Sequence, residues 1–326
     1  MTKRALVVGA TGFLGYHAVK ELLAGGWRVT SLGLPPAPPA GLFPASVKVV
    51  LRDIARATDA DLRRLLRGHQ GLVFAAGLDD RHIPEKPAYE KFRQANVAVL
   101  ERLLPIAAKA GVGRAVILGS YLAYFNRRWP DLKLAERHTY IRSRMEQEQV
   151  VTSASGLDGM VLEIPYVFGS MPVPGWTPLW SGLVKYVRST TTVVYSVGGT
   201  ACVSATVVGR AVAAALERGE AGHCYPIGQE NLTWREMLTR LARADRRQVR
   251  VVTLPARAVG AVMSGVALVH ELQNNLQNKE SGLDLRHFAK LLTAETYVNP
   301  KIATRALGFE LDDLDDAFRQ TVTACS

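Results

Sequence analysis

The chain has 326 residues, 48% of them hydrophobic and 21% charged, with 28 glycines and 16 prolines. That composition supplies one large domain or two modest ones with a sizeable core, and it excludes a disordered, collagen-like or disulfide-built chain. Forty basic against 29 acidic side chains give a net charge of +11, which favours anionic ligands in general. The densest basic run, Arg243-Ala-Asp-Arg-Arg-Gln-Val-Arg250, contains Asp245 and no aromatic. It reads as a solvated helix end, so no nucleic-acid partner is expected. Cys202, Cys224 and Cys325 are widely spaced and form no CxxC pair, which fits a reducing compartment. The seven histidines show no HExxH or comparable spacing, so no metal is expected. The apolar run at the N-terminus is too short for a signal peptide. The longest uncharged apolar stretch near the C-terminal end, residues 258–269, falls short of the ~20 residues of a membrane span. A cytoplasmic protein without an integral membrane segment is expected.

In chain order, Leu6-Val7-Val8 reads as a first strand, followed by a glycine-rich turn and a helix through Leu23. Further strands are expected at 28–32, 47–51, 72–75, 115–118 and 160–164, with helical patterns at 59–67, 89–110 and 139–151. Strands alternating with helices are the signature of an α/β fold, here a Rossmann-type doubly wound parallel sheet. Its strands read as unbroken apolar runs because both their faces are buried. Pro35-Pro-Ala-Pro-Pro39 is a surface loop. After Gly169 the pattern weakens, with short strands expected at 193–196, 203–208 and 224–227, a capped helix at 233–244, and helices from 255 until Asn299-Pro300. The chain divides into a dinucleotide-binding domain, residues 1–169, and a smaller, mainly substrate-binding lobe, residues 170–326, some segments of which return to the Rossmann core.

Gly9-Ala-Thr11-Gly12-Phe13-Leu14-Gly15 follows the first strand and opens the first helix. One glycine permits the tight turn, one lets the backbone approach a pyrophosphate, and one lets helix and strand pack closely. The helix N-terminus adds free N–H groups and positive dipole. The spacing is GxxGxxG, not the commoner GxGxxG, and a glycine turn of purely structural purpose is the alternative. An acid ending the second strand would bind the ribose 2′-hydroxyl of NAD. That position falls at Gly33-Leu34, with neither acid nor arginine beside it. Gly33 would then leave room for a 2′-phosphate, so the expected cofactor is NADPH or NADH, with a slight lean to NADPH. Asp53, in Arg52-Asp53-Ile54, either bonds the adenine amine or caps the following turn.

Several later segments complete an ordered set: Phe74-Ala75-Ala76-Gly77, Asn96 in Ala-Asn-Val-Ala-Val-Leu, Leu118-Gly-Ser120, Tyr140-Ile-Arg-Ser143-Arg144-Met-Glu-Gln-Glu148, and Ile164-Pro165-Tyr166-Val167-Phe-Gly169. Together with the glycine turn they resemble the extended short-chain dehydrogenase/reductase family over most of the chain, closest to its hydroxysteroid dehydrogenase and dihydroflavonol reductase branch. The resemblance implies cofactor contacts from Gly9, Thr11, Gly12, Phe13, Leu14, Gly15, Asp53, Ile54, Ala75, Ala76, Gly77, Asn96, Pro165 and Val167. It also implies a catalytic set of Ser120, Tyr140 and Arg144, the last two touching the cofactor as well. Family dehydratases carry Asp-Glu where this chain has Tyr121-Leu122. Family epimerases usually carry Asn in the segment here reading Pro165-Tyr166-Val167.

The chemistry suits these residue types. Hydride transfer to a carbonyl leaves alkoxide charge, and a tyrosine can protonate it if its pKa, about 10 when free, is drawn down. A cation one helical turn away provides that pull. Residue 144 is Arg where the family has Lys, and its larger planar fork does not replace an ammonium freely. It either holds ribose hydroxyls while biasing Tyr140, or marks a chain that binds cofactor without turnover. Tyr140 as an ordinary helix tyrosine is the bland alternative, with Tyr121 and Tyr124 as reserve proton donors. The pocket is assigned to Tyr121, Tyr124, Tyr166, Trp176 and Trp180, and the uncharged helix at 258–269 to core or a dimer face. The expected activity is interconversion of a ketone and a secondary alcohol on an apolar, ring-containing or lipid-like molecule. The alternatives are a sugar-nucleotide epimerase or a cofactor-binding sensor.

Overall fold

In the computed structural model, which describes residues 2–325, the first half of the chain alternates strand and helix. β1 (Arg4–Val8) leads through the glycine turn into α1 (Phe13–Ala24), followed by β2 (Arg28–Gly33), β3 (Lys48–Leu51), α2 (Asp59–Leu66) and β4 (Gly71–Phe74). Thr58 and Asp61 form a capping box that starts α2. α3 (Ala88–Arg93) and α4 (Val99–Lys109) continue one another across a π-bulge at 94–98. Then come β5 (Arg114–Ser120), α5 (Tyr121–Arg128), α6 (Leu134–Arg137), α7 (Thr139–Thr152) and β6 (Asp158–Ile164).

The second half holds β7 (Tyr166–Phe168), α8 (Ser181–Ser189), β8 (Thr192–Ser196), β9 (Gly199–Ser204), α9 (Ala205–Arg218) and β10 (Cys224–Pro226). It continues with β11 (Glu230–Thr233), α10 (Trp234–Ala244), β12 (Arg250–Leu254), α11 (Ala256–Leu276), α12 (Leu285–Thr293), β13 (Glu295–Thr296), α13 (Lys301–Leu307) and α14 (Leu314–Thr323).

Seven parallel strands form the main sheet in the order β10-β6-β5-β4-β1-β2-β3. This is the doubly wound arrangement the alternating pattern requires. β4 lies at its centre with β1 beside it, and Val7 of β1 stands opposite Ser31 on one side and Val73 on the other. One face is sealed by residues such as Ala18, Leu22, Val208 and Val212 of α1 and α9, the other by Leu62, Leu100 and Leu104 of α2 and α4. The strand order reverses between β1 and β4, and ligands bind at such a switch point, beyond the carboxyl ends of the strands. Beside it, β9 pairs with β7, β11 and β13, and β8 pairs with β12.

Three expectations need correction. The apolar run at 203–208 is strand only as far as Ser204, where β9 ends: Ser204 accepts a hydrogen bond from the Val207 N–H at 3.0 Å, and this cap starts α9 inside the β-branched run. Helices do not stop at Pro300, because α13 and α14 follow it. The apolar stretch 258–269 is not core: in α11 only Val259 and Ala267 are buried, while Leu268 is 72% and Leu272 62% exposed. Among the described residues no helix is long and apolar enough to cross a membrane.

Candidate active site

The glycine turn is fixed by close backbone approach. Gly9 adopts φ +80, and a Cβ there would lie 2.6 Å from the Ala75 carbonyl oxygen. At Gly15 a Cβ would come within 2.0 Å of the Gly9 oxygen, so no other residue lets α1 sit on this turn. Gly12 differs: its Cβ position meets only the Gly9 oxygen, at 3.3 Å, and otherwise faces open space at the start of α1. The amides of that first turn have no partners within the helix. Open space beside unpaired donors is a cradle for an anion.

The end of β2 is tighter than the sequence suggested. A Cβ on Gly33 would stand 2.7 Å from Thr11 Oγ1, so the space over Gly33 is taken by Thr11. Leu34, next along, is 60% exposed and borders solvent. Asp53 caps its own turn, with the Ala55 N–H donating to Oδ1 at 2.9 Å and Arg56 3.6 Å from Oδ2. Ile54 packs against the apolar layer on that side of the sheet.

Past the carboxyl ends of the strands opens a cavity of about 540 Å³. Of the residues singled out from the sequence, Phe13, Leu14, Ala75, Ala76, Gly77, Ser120, Tyr121, Tyr140, Arg144, Pro165, Tyr166, Val167, Trp176 and Trp180 line it. Gly9, Thr11, Gly12, Gly15, Asp53, Ile54, Asn96 and Tyr124 do not. Asn96 is fully buried behind the wall: its Oδ1 accepts from the Leu78 N–H at 2.9 Å, and its Nδ2 donates to the Leu78 carbonyl and to Ser143 Oγ. The π-bulge leaves the Asn96 carbonyl to Gln147 Nε2, which donates to it at 3.0 Å. Asn96 therefore holds the loop after β4 in place from behind. Tyr124 packs edge-on against Phe125, with the Arg128 guanidinium near its ring.

Ser120 ends β5 and caps α5, its Oγ accepting from the Leu122 N–H at 3.3 Å. Tyr140, on the first turn of α7, is 4% exposed and sits edge-on to Phe92. Contrary to the expected drop, burial leaves its phenol pKa above the ordinary value: the Arg144 charge and the Ser120 hydroxyl pull it down without offsetting burial, and the Asp80 charge pushes it up. The Arg144 guanidinium lies 5.1 Å from the Tyr140 ring centre. Its fork donates to Gln147 Oε1 at 2.9 Å and to the Leu78 carbonyl at 3.0 Å, and reaches the Leu118 carbonyl at 3.5 Å. It thus ties the loop after β4 to the end of β5, while its buried Nε has no partner among the described residues. The reserve role given to Tyr121 fails on geometry. Its hydroxyl is hydrogen-bonded to Thr200 Oγ1 at 2.9 Å and Thr296 Oγ1 at 3.4 Å, and burial raises its pKa strongly.

The facing wall is aromatic and apolar. Trp176 leans on Phe13 (5.0 Å between centres), and Tyr166 touches both Trp180 and Trp234. Sequence reasoning missed Trp234, Phe288, Leu291 and Leu292 here, and also the charged triplet Asp79-Asp80-Arg81. The helical spacing of Phe288, Leu291 and Leu292 signalled a buried face but not what that face would meet. Behind the wall carrying Tyr140 and Arg144, Arg127 of α5 pairs with Glu148 of α7 and Glu163 of β6, both buried. Burial and mutual repulsion raise the pKa of Glu148 to about 9, and burial raises that of Glu163.

A family model described as the NAD dependent epimerase/dehydratase family matches residues 5–228. A putative dihydroflavonol 4-reductase of Synechocystis is 26% identical over 258 residues, spanning 72% of this chain and 71% of its own. Among solved structures, a nucleoside-diphosphate-sugar epimerase from Pseudomonas aeruginosa aligns with TM-score 0.74 at 17% identity, covering 99% of this chain and 97% of its own. A UDP-glucuronic acid 4-epimerase from Bacillus cereus, solved with NAD, aligns with TM-score 0.68 at 14% identity over 99% and 98%. At these identities the two structures share the fold.

Proposed function

The chain belongs to the NAD-dependent epimerase/dehydratase family, and within it we propose an NAD(P)H-dependent oxidoreductase that interconverts a ketone and a secondary alcohol on a largely apolar, ring-containing or lipid-like molecule. The observation that carries this reading is the convergence of Ser120, Tyr140 and Arg144 on one wall of a cavity whose other wall is aromatic. The residues fit a dinucleotide. The open position at Gly12 and the first-turn amides of α1 would take the pyrophosphate, the segment Ala75-Ala76-Gly77 the ribose, and Pro165 to Val167 the carboxamide end. When bound, the nicotinamide supplies or accepts the hydride. An exposed Leu34 with no acid at the end of β2 keeps the lean to NADPH.

Tyr140 gives its phenolic proton to the substrate oxygen as negative charge develops there, and takes it back in the reverse direction. Ser120 holds the same oxygen by a hydrogen bond. Arg144 is a positioning residue: its charge counters the effect of burial on Tyr140, and its fork fixes the loop beside the ribose site. A sugar nucleotide would call for free cations, but Arg81 is engaged by Asp79 and Arg144 by backbone carbonyls. The name of the Synechocystis relative, a dihydroflavonol 4-reductase, agrees with a reductase. The test follows absorbance of NADPH and of NADH over a panel of ring ketones. Consumption coupled to alcohol formation supports the reading, whereas tight cofactor binding with no turnover on any ketone or alcohol contradicts it.

A further inference from the structure

Two adjacent carboxylates on the loop after β4 line the cavity, and they are used differently. Asp79 is occupied: Arg81 Nε donates to it at 2.9 Å, the Arg81 backbone N–H at 3.1 Å, and His82 Nδ1 lies 3.2 Å away. Asp80 has no ion-pair or side-chain hydrogen-bond partner among the described residues. Nor are its polar neighbours free to turn toward it. Tyr121 is bonded to Thr200 and Thr296, and Arg144 to the carbonyls of Leu78 and Leu118 and to Gln147.

The loop itself is rigidly placed. Two residues before Asp80, the Leu78 N–H and carbonyl are both bound by Asn96, and the carbonyl is bound again by Arg144. Asp80 is an exposed residue lining this cavity, its carboxylate left to solvent and to whatever ligand enters. In mostly apolar pockets, a few such preplaced polar groups orient the ligand.

We propose that Asp80 is a specificity-determining residue: it accepts a hydrogen bond from a hydroxyl or amine that the substrate carries close to its reacting carbonyl, and it disfavours ligands presenting a carboxylate or phosphate there. The inference rests on the ketone–alcohol reading above. It narrows that reading from apolar ring ketones to those with an adjacent hydrogen-bond donor.

Benzoin, its methyl ether and deoxybenzoin form a matched set of apolar ring ketones with a hydroxyl, a methoxy group or a hydrogen beside the carbonyl. With the NADPH-loaded protein, kcat/KM and binding by calorimetry are compared across the three, for wild type, D80N and D80A. The expected result is a preference for benzoin of roughly tenfold or more, the scale of a hydrogen bond to a charged group. D80A should erase that preference, and D80N, which keeps an oxygen acceptor without the charge, should retain part of it. NADPH affinity and melting temperature should stay unchanged. A preference that survives D80A, equal handling of all three compounds, or no binding of any while NADPH binds normally would each overturn the assignment. Failure to bind NADPH and NADH at all would instead overturn the reading on which it rests.

Discussion

The two walls of the cavity are held by different forces. On the sheet side, Tyr140, Arg144 and the loop after β4 are tied by directional hydrogen bonds running through Asn96, Gln147 and Ser143. On the lobe side, Trp180 stacks on Phe168, which stacks on Phe318, and Phe288 packs from α12. Hydrogen bonds fix individual atoms, whereas apolar packing fixes a volume and tolerates exchange of one side chain for another of similar size. Proton transfer needs the first kind of wall and substrate choice the second. Asp80 is the polar exception, carried by the rigid wall but facing the apolar space.

The largest effect should come from breaking the sheet side at its entrance. Gly12→Val places a branched side chain in the open cradle, and calorimetry should show nucleotide binding abolished in a protein that still folds. Undiminished affinity would remove the cradle from the account. Next is Arg144→Lys. An ammonium cannot span the Leu78 and Leu118 carbonyls as the guanidinium does. Each lost charged hydrogen bond is worth about 1.5–3 kcal/mol. Turnover should fall at least tenfold, with a lower melting temperature; an unchanged variant would mean that residue 144 acts only as a point charge.

A smaller effect belongs to the Arg127–Glu148–Glu163 cluster. With folded pKa values raised above the ordinary carboxylate value, the folded state holds more protons than the unfolded one. The cluster's stabilisation is therefore full below about pH 4 and drains away as pH rises toward about 9. The unfolding free energy from urea titrations should fall between about pH 6 and pH 9, by on the order of 1 kcal/mol, and Glu163→Gln should flatten that slope. The same slope in both proteins would locate the titration elsewhere. The smallest concerns cofactor choice. Because Thr11 covers Gly33, the residue to change is Leu34, and Leu34→Asp should move the NADPH/NADH ratio toward NADH by about tenfold, or 1.4 kcal/mol.

What was legible in the sequence follows the same division. The glycine turn was readable because its constraint is local: the Gly15–Gly9 contact is six residues long and purely steric. Tyr140 and Arg144 were readable because one helical turn separates them. Asn96 was found by motif, but its work on Leu78 and Ser143 depends on contacts 18 and 47 residues away. Asp80 could not be found this way, since Asp79-Asp80-Arg81 looks like any solvated charge run until the fold sets it beside the cavity. The same holds for α12, whose apolar spacing is shared by every buried helix. For the stretch 258–269 core and dimer face stayed open for the converse reason, because hydrophobicity alone does not say which elements cover it; within the chain most of it is left uncovered.

The most direct test of the division between chemistry and choice compares two single variants on one ketone substrate. Tyr140→Phe removes a hydroxyl and keeps the ring, so kcat should fall by about 10²–10⁴ while KM and cofactor affinity hardly move. Phe288→Ala removes a cavity ring worth about 1.5–3 kcal/mol of burial, so KM should rise while kcat is largely kept. That crossed pattern is what the two walls predict. An active Tyr140→Phe enzyme, or a Phe288→Ala enzyme that loses kcat instead of affinity, would contradict it.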